Sequence, residues 1–490
     1  MNTKTISAVA LIGILIIVSV ALGLLTAIVN SPWILFLVSP LIFVLVGLKD
    51  FRITIVALLI IGILGQSRLL PSFSNFNIFN YLILGATVSL GLKFIADRKP
   101  LIWPPKAFAL FLIPFTFALL NGILNLKGLP SSASLIEGSA GITAMDYAKL
   151  HYVRPMLYVL LSLLIANAIN QSKNQDGWAI PYVISCLVPC IAVFGIIAAF
   201  GFDLSVLSKN WALLGSIGLH KNTLGATLAF SLAPMLFLLA AVKSHVVKAI
   251  LVACIGVTGA ALLLTFSRGG VTAAIAIWIV FCFYRKSWLA LTASIVLVPV
   301  IALALPTEIL DRLILGLSDE SNNGIREDDQ LTAGRLWVWQ QLLPEIAKRP
   351  LFGAGLYGHM WSDLAFVNSV TYPHNFLLQT LIDLGIPGAI CMISFYILVM
   401  RGFLNLSRVQ SLSPIIRALA ASGWAMMIGW TVFGLTNSDY IPNKEAIPIW
   451  LLMGLLFAHW NKAFKPKTAK QSTLIARGDR FSQRTLTGGS

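Results

Sequence analysis

The chain has 490 residues, of which 58% are hydrophobic and only 11% are charged. Soluble domains carry about 25% charged residues, so the composition excludes an ordinary soluble enzyme, a disordered chain and a fibrous repeat. Apolar runs of about 20 residues recur along the sequence and predict an all-α polytopic membrane protein. The net charge of +16 is attributed to cytoplasmic loops that face the phospholipid bilayer, and nucleic acid is not an expected partner.

Fourteen apolar runs are candidate spans, and because three of them are short we expect 12–14 transmembrane helices. The first run, 6–29, is too long for a signal-peptide core and is interpreted as a retained signal anchor. The remaining runs are 32–48, 53–65, 78–96, 105–124, 152–169, 179–201, 219–242, 246–266, 270–284, 288–305, 374–400, 415–436 and 447–464.

Lys and Arg residues in the short loops predict the orientation of the chain in the membrane. The loops that contain Lys49, Arg98, Lys243, Arg285 and Arg401 share one side if every run is a span. Both termini are therefore expected in the cytoplasm. The predicted organisation is an N-terminal region of transmembrane helices over residues 1–305, a periplasmic loop over 306–373, a C-terminal region of transmembrane helices over 374–464 and a disordered basic tail over 465–490.

The loop 306–373 is long enough to suggest a function. Leu336, Trp339, Leu343 and Ile346 recur at helical spacing and predict a helix lying at the outer membrane interface. Pro344 is expected to bend or interrupt that helix. The acidic cluster 327–329 could bind a divalent cation, but a solvated acidic loop is the favoured interpretation.

His374 lies where this loop re-enters the membrane, and a histidine there can accept or donate a proton near neutral pH. Gly385 is eleven residues further on, so a continuous helix would place it beneath His374 on nearly the same face. Together with Gly388 it would allow another helix to approach closely. The alternative interpretation is that His374 only anchors the chain at the interface.

Asn375, Gln379 and Asp383 form a polar stripe at a spacing of four residues. A carboxylate inside a span costs about 2.5–3.5 kcal/mol on insertion scales. Asp383 is therefore expected to face a polar partner or water. The stripe could also serve only to hold helices together.

Four further motifs carry cations on the predicted outer side. Arg268 precedes Gly269 and Gly270, and its guanidinium could bind phosphate or could reach the interface from a helix end. Arg335 begins the interfacial helix, and Arg154 precedes a proline. The fourth motif, at the start of a span, could bind an anion or cap the helix, and it consists of His220, Lys221 and Asn222.

Together these motifs resemble the O-antigen ligase and polysaccharide polymerase superfamily of bacterial inner membranes. They follow the expected order over about 218–390, which is specific for the superfamily but not for one member. Lys221 stands where many ligases have proline, and the acidic insert 319–329 matches no family feature. The residues that carry the resemblance are His374, Asn375, Gly385, Gly388, Ser267, Arg268, Gly269, Gly270, His220, Asn222, Leu224, Gly225, Gly334, Arg335, Pro350, Gly353 and Gly355.

The resemblance implies a type-C-like, inverting and metal-independent glycosyltransferase that acts on the periplasmic face without a cofactor. Its donor would be a glycan on undecaprenyl diphosphate. Its acceptor would be lipid A core for a ligase, another lipid-linked glycan for an O-antigen or exopolysaccharide polymerase, or a protein hydroxyl. His374 matches the family histidine, the proposed base. Arg268 and Arg335, and more loosely Arg154, are expected to bind the diphosphate.

A secondary transporter is the alternative from a different class of protein. In that interpretation Asp383 is an intramembrane site for a proton or an ion. The sequence shows no inverted repeat and no paired broken helices, which such transporters commonly contain.

Overall fold

The structure, a computed structural model, describes residues 33–61, 72–73, 76–97, 100–128, 142–199, 220–304, 335–361, 373–436, 440–443 and 445–464. Three predicted features lie outside the described residues. They are the signal anchor 6–29, the acidic insert 319–329 and the basic tail 465–490.

The described residues form a bundle of α-helices, and a hairpin of two short strands, β1 (Ser72–Phe73) and β2 (Phe76–Asn77), precedes its second helix. The helices are α1 (Trp33–Ile61), α2 (Ile78–Asp97), α3 (Ala109–Asn125), α4 (Ala144–Ala148), α5 (Arg154–Gln171), α6 (Ala179–Ala199), α7 (Lys221–Ala241), α8 (His245–Leu264), α9 (Arg268–Arg285), α10 (Trp288–Ala304), α11 (Arg335–Lys348), α12 (Phe376–Ser407), α13 (Pro414–Gly434), α14 (Ile447–Ala458) and α15 (Trp460–Phe464). Within the described ranges, nine helical segments are long and apolar enough to cross a membrane. The prediction of an all-α polytopic membrane protein is confirmed.

The described parts of two predicted spans, 33–48 and 53–61, lie in the single element α1, which is broken at Asp50, where φ is −155° and ψ is 98°. The Asp50 side chain accepts a hydrogen bond from the backbone N–H of Arg52 at 3.1 Å. This is the geometry of a helix N-cap. The second half of α1 therefore begins at the break.

Helix α7 lies at the centre of the bundle. In its most apolar stretch of 18 residues, 78% of the residues are buried, whereas the corresponding value for α8 is 22%. The beginnings of α7 and α9 cross at two glycines. A Cβ atom added to Gly270 would lie 2.6 Å from the carbonyl carbon of Gly225. The sequence motifs around His220 and Arg268 are therefore in direct contact.

Short connections make consecutive helices antiparallel, so the loops collect at two ends of the bundle. One end, termed the site end, contains His220, Ser267, Asn375 and Leu435. The opposite end, termed the basic end, contains the loops with Lys243, Lys286 and Arg408. The predicted catalytic and basic-loop residues are thus segregated along the bundle axis.

Candidate functional site

His374 is fixed between two hydrogen-bonded anchors. The carbonyl oxygen of Pro373 accepts a bond from Trp339 Nε1 at 2.8 Å, which ties the chain to α11. After it, the Asn375 side chain accepts bonds from the first backbone N–H groups of α12 and donates to the Leu435 carbonyl at 3.1 Å. His374 itself has a φ of 49°, an uncommon conformation for a residue with a side chain.

The prediction that Gly385 lies three helical turns beneath His374 is wrong. His374 precedes the helix, which begins at Phe376. In addition, α12 is broken at Gly385, where φ is 67° and ψ is 180°. The element that approaches Gly385 is not a helix but the segment 350–358, termed the glycine segment. A Cβ atom on Gly385 would lie 2.6 Å from the carbonyl carbon of Leu351.

The glycine segment supplies the hydrogen bonds that the broken helix lacks. Backbone groups in an apolar environment must find partners within the protein. The pairs are Ala354 N with Ile382 O at 2.7 Å, Gly355 N with Asp383 O at 3.2 Å, and Ile386 N with Pro350 O at 2.7 Å. The break in α12 and the glycine segment therefore form one unit.

Two glycines allow this segment to pass between α3 and α12. Gly353 and Gly355 have φ values of 64° and 105°, which favour glycine. A Cβ atom on Gly353 would lie 2.3 Å from the carbonyl oxygen of Asp383, and one on Gly355 would lie 2.4 Å from Gly122 Cα. At Gly388, an added Cβ atom would lie 3.5 Å from Pro114 of α3, an ordinary contact, and 2.7 Å from Leu384 Cβ of its own helix.

The fully buried carboxylate of Asp383 joins three segments of the chain. It accepts hydrogen bonds from Gln379 Nε2 at 2.7 Å, from Gly358 N at 2.6 Å and from the Tyr440 hydroxyl at 3.0 Å. The expectation that Asp383 faces polar partners is confirmed. Its contacts hold the glycine segment, α12 and the segment after α13 together.

Arg268 occupies the first turn of α9, and Ser267 holds that turn in place. Ser267 Oγ accepts a bond from Gly270 N at 3.1 Å and donates to Asn222 Oδ1 at 3.2 Å. His220 caps α7 by accepting a bond from Asn222 N at 3.3 Å. The helix-cap interpretation of His220 is therefore confirmed, and the cap places its ring at the site end.

The charges at the site end act on one another. Burial, followed by the charge of Arg268, lowers the pKa of Arg335 to about 10. Burial lowers the pKa of His374 to about 4, and Arg335 and His220 contribute to this shift. Four residues predicted from separate motifs are therefore close enough to influence each other, and the ring of His374 is neutral at neutral pH.

The position of Arg154 depends on the turn that precedes its helix. It begins α5 directly after a π-helical turn, Lys149–Val153, which contains the buried His151. The His151 ring lies 4.2 Å from the Tyr357 ring of the glycine segment. The charge of Arg154 also acts on the His151 ring, so Arg154 lies near the ring pair of His151 and Tyr357.

Lys221 lies next to a buried region that the sequence interpretation missed. It begins α7, and Thr223 in the same first turn donates a hydrogen bond to Glu445 Oε1 at 2.7 Å. Glu445 and Tyr440 follow α13 in an irregular stretch without periodicity. Only their chemistry, an acid and a phenol between apolar helices, could have identified them.

A second missed residue is His359, which is only 3% exposed. Burial lowers its pKa to about 4, a hydrogen bond to Gln379 opposes this shift, and the nearby His374, when protonated, contributes to it. The Tyr357 ring lies 5.6 Å from the His359 ring. Its place directly after the glycines was the available sequence signal.

The predicted helix is present as α11, and its place at the membrane interface stays a prediction. Val338 and Leu342 are buried and pack with Ile382, whereas Leu336 and Leu343 are 46% and 56% exposed. Of the two predicted effects of Pro344, an interruption does not occur, because α11 continues to Lys348. Pro344 lies on the exposed side, where solvent can satisfy the freed carbonyl group.

One segment of the chain matches a known protein family. Residues 251–393 match the family described as O-antigen ligase. This match supports the predicted resemblance to the O-antigen ligase superfamily. No curated protein matches it significantly. The ligase domain, as the matched segment is termed below, spans less than a third of the chain but contains Arg268, Arg335, His374 and the glycine segment.

Other site residues lie outside the ligase domain. The domain begins within α8 and ends within α12, after the break at Gly385. His220, Arg154, Tyr440 and Glu445 are contributed by the flanking helices and loops. The site is therefore assembled from the ligase domain together with sequence that the family match does not cover.

Proposed function

We propose that the protein transfers a glycan from undecaprenyl diphosphate to an acceptor hydroxyl on the periplasmic face of the bacterial inner membrane. The observation that carries this proposal is the proximity of Arg335 to both Arg268 and His374. Two neighbouring guanidinium groups repel each other, and an anion with more than one negative charge offsets that repulsion. Guanidinium groups also match the oxygen geometry of phosphates. A lipid diphosphate is such an anion.

In the proposed reaction, the acceptor oxygen attacks the anomeric carbon while the bond to the diphosphate breaks, and the carbon is inverted. His374 receives the proton of the acceptor hydroxyl, which is possible because its ring is neutral at neutral pH. Arg268 and Arg335 stabilise the charge that develops on the leaving diphosphate, so the proposed step requires no metal.

Donor binding and proton acceptance are coupled in this arrangement. The charge of Arg335 disfavours a proton on His374 in the empty site. A bound diphosphate offsets that charge and raises the pKa of His374. The base therefore becomes stronger when the donor is in place, which matches its basicity to the step that requires it.

The acceptor distinguishes three forms of this reaction. We propose the ligase form, with lipid A core as acceptor. A polymerase of O-antigen or exopolysaccharide would use a second lipid-linked glycan, and a protein O-oligosaccharyltransferase would use a protein hydroxyl. The same His374, Arg268 and Arg335 would serve each of these acceptors, so an experiment must separate the three.

Glycan profiling of a deletion strain, complemented with the wild-type gene, makes this separation. Loss of lipid-A-linked polymer together with accumulation of long lipid-linked chains supports the ligase form. Accumulation of single lipid-linked repeat units would replace it with the polymerase form, and loss of protein-bound glycan with the protein-glycosylating form. Unchanged lipid-linked and transferred glycans would contradict glycosyl transfer altogether.

The transporter alternative depends on Asp383, and its contacts weigh against that role. Its carboxylate accepts hydrogen bonds from the protein groups of Gln379, Gly358 and Tyr440. An ion carrier requires a carboxylate that can exchange these partners for its cargo. Loss of solute uptake into vesicles on Asp383→Asn substitution, with glycan transfer retained, would favour the transporter.

A further inference from the structure

A second cationic region lies on the α3 side of the glycine segment. An open cavity of about 380 Å³ lies between the end of α11 and the end of α3. Its wall combines two basic side chains, two amides and exposed backbone. The side chains that line it and carry the inference are Lys348, Arg349, Asn121, Asn125 and Phe352.

The charge of this cavity is positive. Lys348 pairs with Glu345 at 2.6 Å, and the Lys348 side chain is 54% exposed. Among the described residues, Arg349 has no ion pair. The amide of Asn121 donates to the Gly353 carbonyl at 3.1 Å and holds the wall of the cavity in shape. A phosphate group has the complementary charge.

An apolar strip extends from the cavity along α3. Phe352 at the cavity is 60% exposed, and its ring lies 5.5 Å from that of Phe117. The exposed side chains that continue the strip are Ile113, Phe117, Leu120 and Leu124. They belong to the candidate span Lys106–Gly128. A cationic cavity above an apolar strip has the chemistry of an amphiphile whose headgroup is an anion.

The cavity is separate from the arginine pair of the proposed donor site. Arg335 begins α11 and Lys348 ends it, 14 residues in all. At 1.5 Å per residue the two ends are about 20 Å apart. One phosphate group cannot contact both sites.

We propose that this cavity binds an anionic phospholipid, with its phosphate against Lys348 and Arg349 and an acyl chain along the α3 strip. This site goes beyond the proposed glycosyl transfer. Asn121 donates a hydrogen bond to the glycine segment at Gly353. In the same segment, Ala354 N donates a hydrogen bond to Ile382 O near the break in α12. A lipid bound here therefore stabilises the segment that supports Asp383 and the start of α12.

Photocrosslinking tests this assignment in the complete protein, reconstituted in vesicles of phosphatidylethanolamine and phosphatidylglycerol. A photoactivatable phosphatidylglycerol is added, and crosslinked peptides of α3 and α8 are quantified. The peptide of α8 is the internal control because that helix is largely exposed to lipid. In Lys348→Gln/Arg349→Gln, the α3-to-α8 ratio should fall about tenfold, since each basic residue contributes severalfold to anionic lipid affinity.

Matched variants and probes make the result specific. Lys348→Arg/Arg349→Lys keeps both charges and should keep the wild-type ratio. Photoactivatable phosphatidylcholine, whose phosphate is neutralised within the headgroup, should give a ratio that the Gln variant does not change. An unchanged ratio with phosphatidylglycerol, an equal fall with phosphatidylcholine, or displacement by the same concentration of inorganic phosphate would each overturn the proposal.

Discussion

His374 carries the proposed chemistry, and its reactivity is determined by residues that are distant in sequence. Burial, followed by Arg335 and His220, lowers its pKa, Trp339 donates a hydrogen bond to the preceding carbonyl group, and Asn375 caps the helix that follows. The sequence predicted the identity of these residues from separate motifs. It could not predict their mutual influence, because that depends on contacts between α7, α11 and α12.

The pH dependence of transfer tests this electrostatic relationship. Protonated His374 cannot act as a base, so kcat/KM for the donor should rise with pH through about 4 and remain level near neutrality. In Arg335→Gln, loss of the neighbouring cation should raise the pKa of His374 and move this rise to higher pH. A wild-type rise near pH 6.5, or the same profile in both proteins, would contradict the stated influence of Arg335.

The arginine pair gives a prediction about the donor. Arg268→Gln should weaken donor binding by about 10- to 100-fold, because a hydrogen bond to a charged group contributes about 1.5–3 kcal/mol. Arg285→Gln, at the other end of the same helix α9, is the matched control. Donor affinity measured on purified protein distinguishes the two variants. Equal affinity in both would remove Arg268 from the diphosphate site.

At the level of elements, hydrophobic periodicity predicted most of the described spans but not the break in α12. Local pattern favours a continuous helix through Gly385, and Pro387 is the only nearby signal against one. The break is stable because the glycine segment, about 30 residues earlier in the sequence, supplies partners for the freed backbone groups. At Pro344 the local sequence allows an interruption, but the helix does not end there. The residue is exposed, and α11 continues to Lys348.

Substitution of Gly385 tests whether the break and the glycine segment form one unit. Gly385→Ala places a side chain in a backbone conformation suited to glycine and within 2.6 Å of Leu351. We expect a loss of about 3 kcal/mol or more in the free energy of unfolding. The measurement is thermal unfolding in detergent.

Gly256→Ala in α8 is the matched control, because a Cβ atom there meets nothing within 4 Å. Alanine is the better helix former, so its stability should be unchanged or higher by up to about 1 kcal/mol. If Gly385→Ala unfolded at the same temperature as Gly256→Ala, the break would not be required for the fold.

At the level of the whole molecule, the two ends of the bundle differ in charge and in chemistry. Basic loops lie at one end, and the proposed reactants meet at the other. The net charge of +16 is therefore due more to the basic loops at one end of the bundle than to residues that would bind a ligand. Composition predicted the class of protein, but only the packing of α7, α9, α11 and α12 brings the few relevant cations together.

Labelling of introduced cysteines tests the proposed orientation. Lys243→Cys at the basic end should be protected from a membrane-impermeant maleimide in cells with a permeabilised outer membrane. Leu435→Cys at the site end should react, because that exposed side chain is expected to face the periplasm. The native cysteines lie within helices, and the wild-type protein provides the background. The reverse labelling pattern would place the site in the cytoplasm.

Glycan transfer by purified His374→Ala is the most direct test of the central claim. The substrate is an undecaprenyl-diphosphate-linked glycan with its acceptor, and His245→Ala, an exposed histidine at the basic end, is the matched control. Loss of the base should lower kcat by about 10²- to 10⁴-fold while donor binding is retained. Turnover of His374→Ala equal to that of His245→Ala, in protein of the same stability, would contradict the role of His374 as the base.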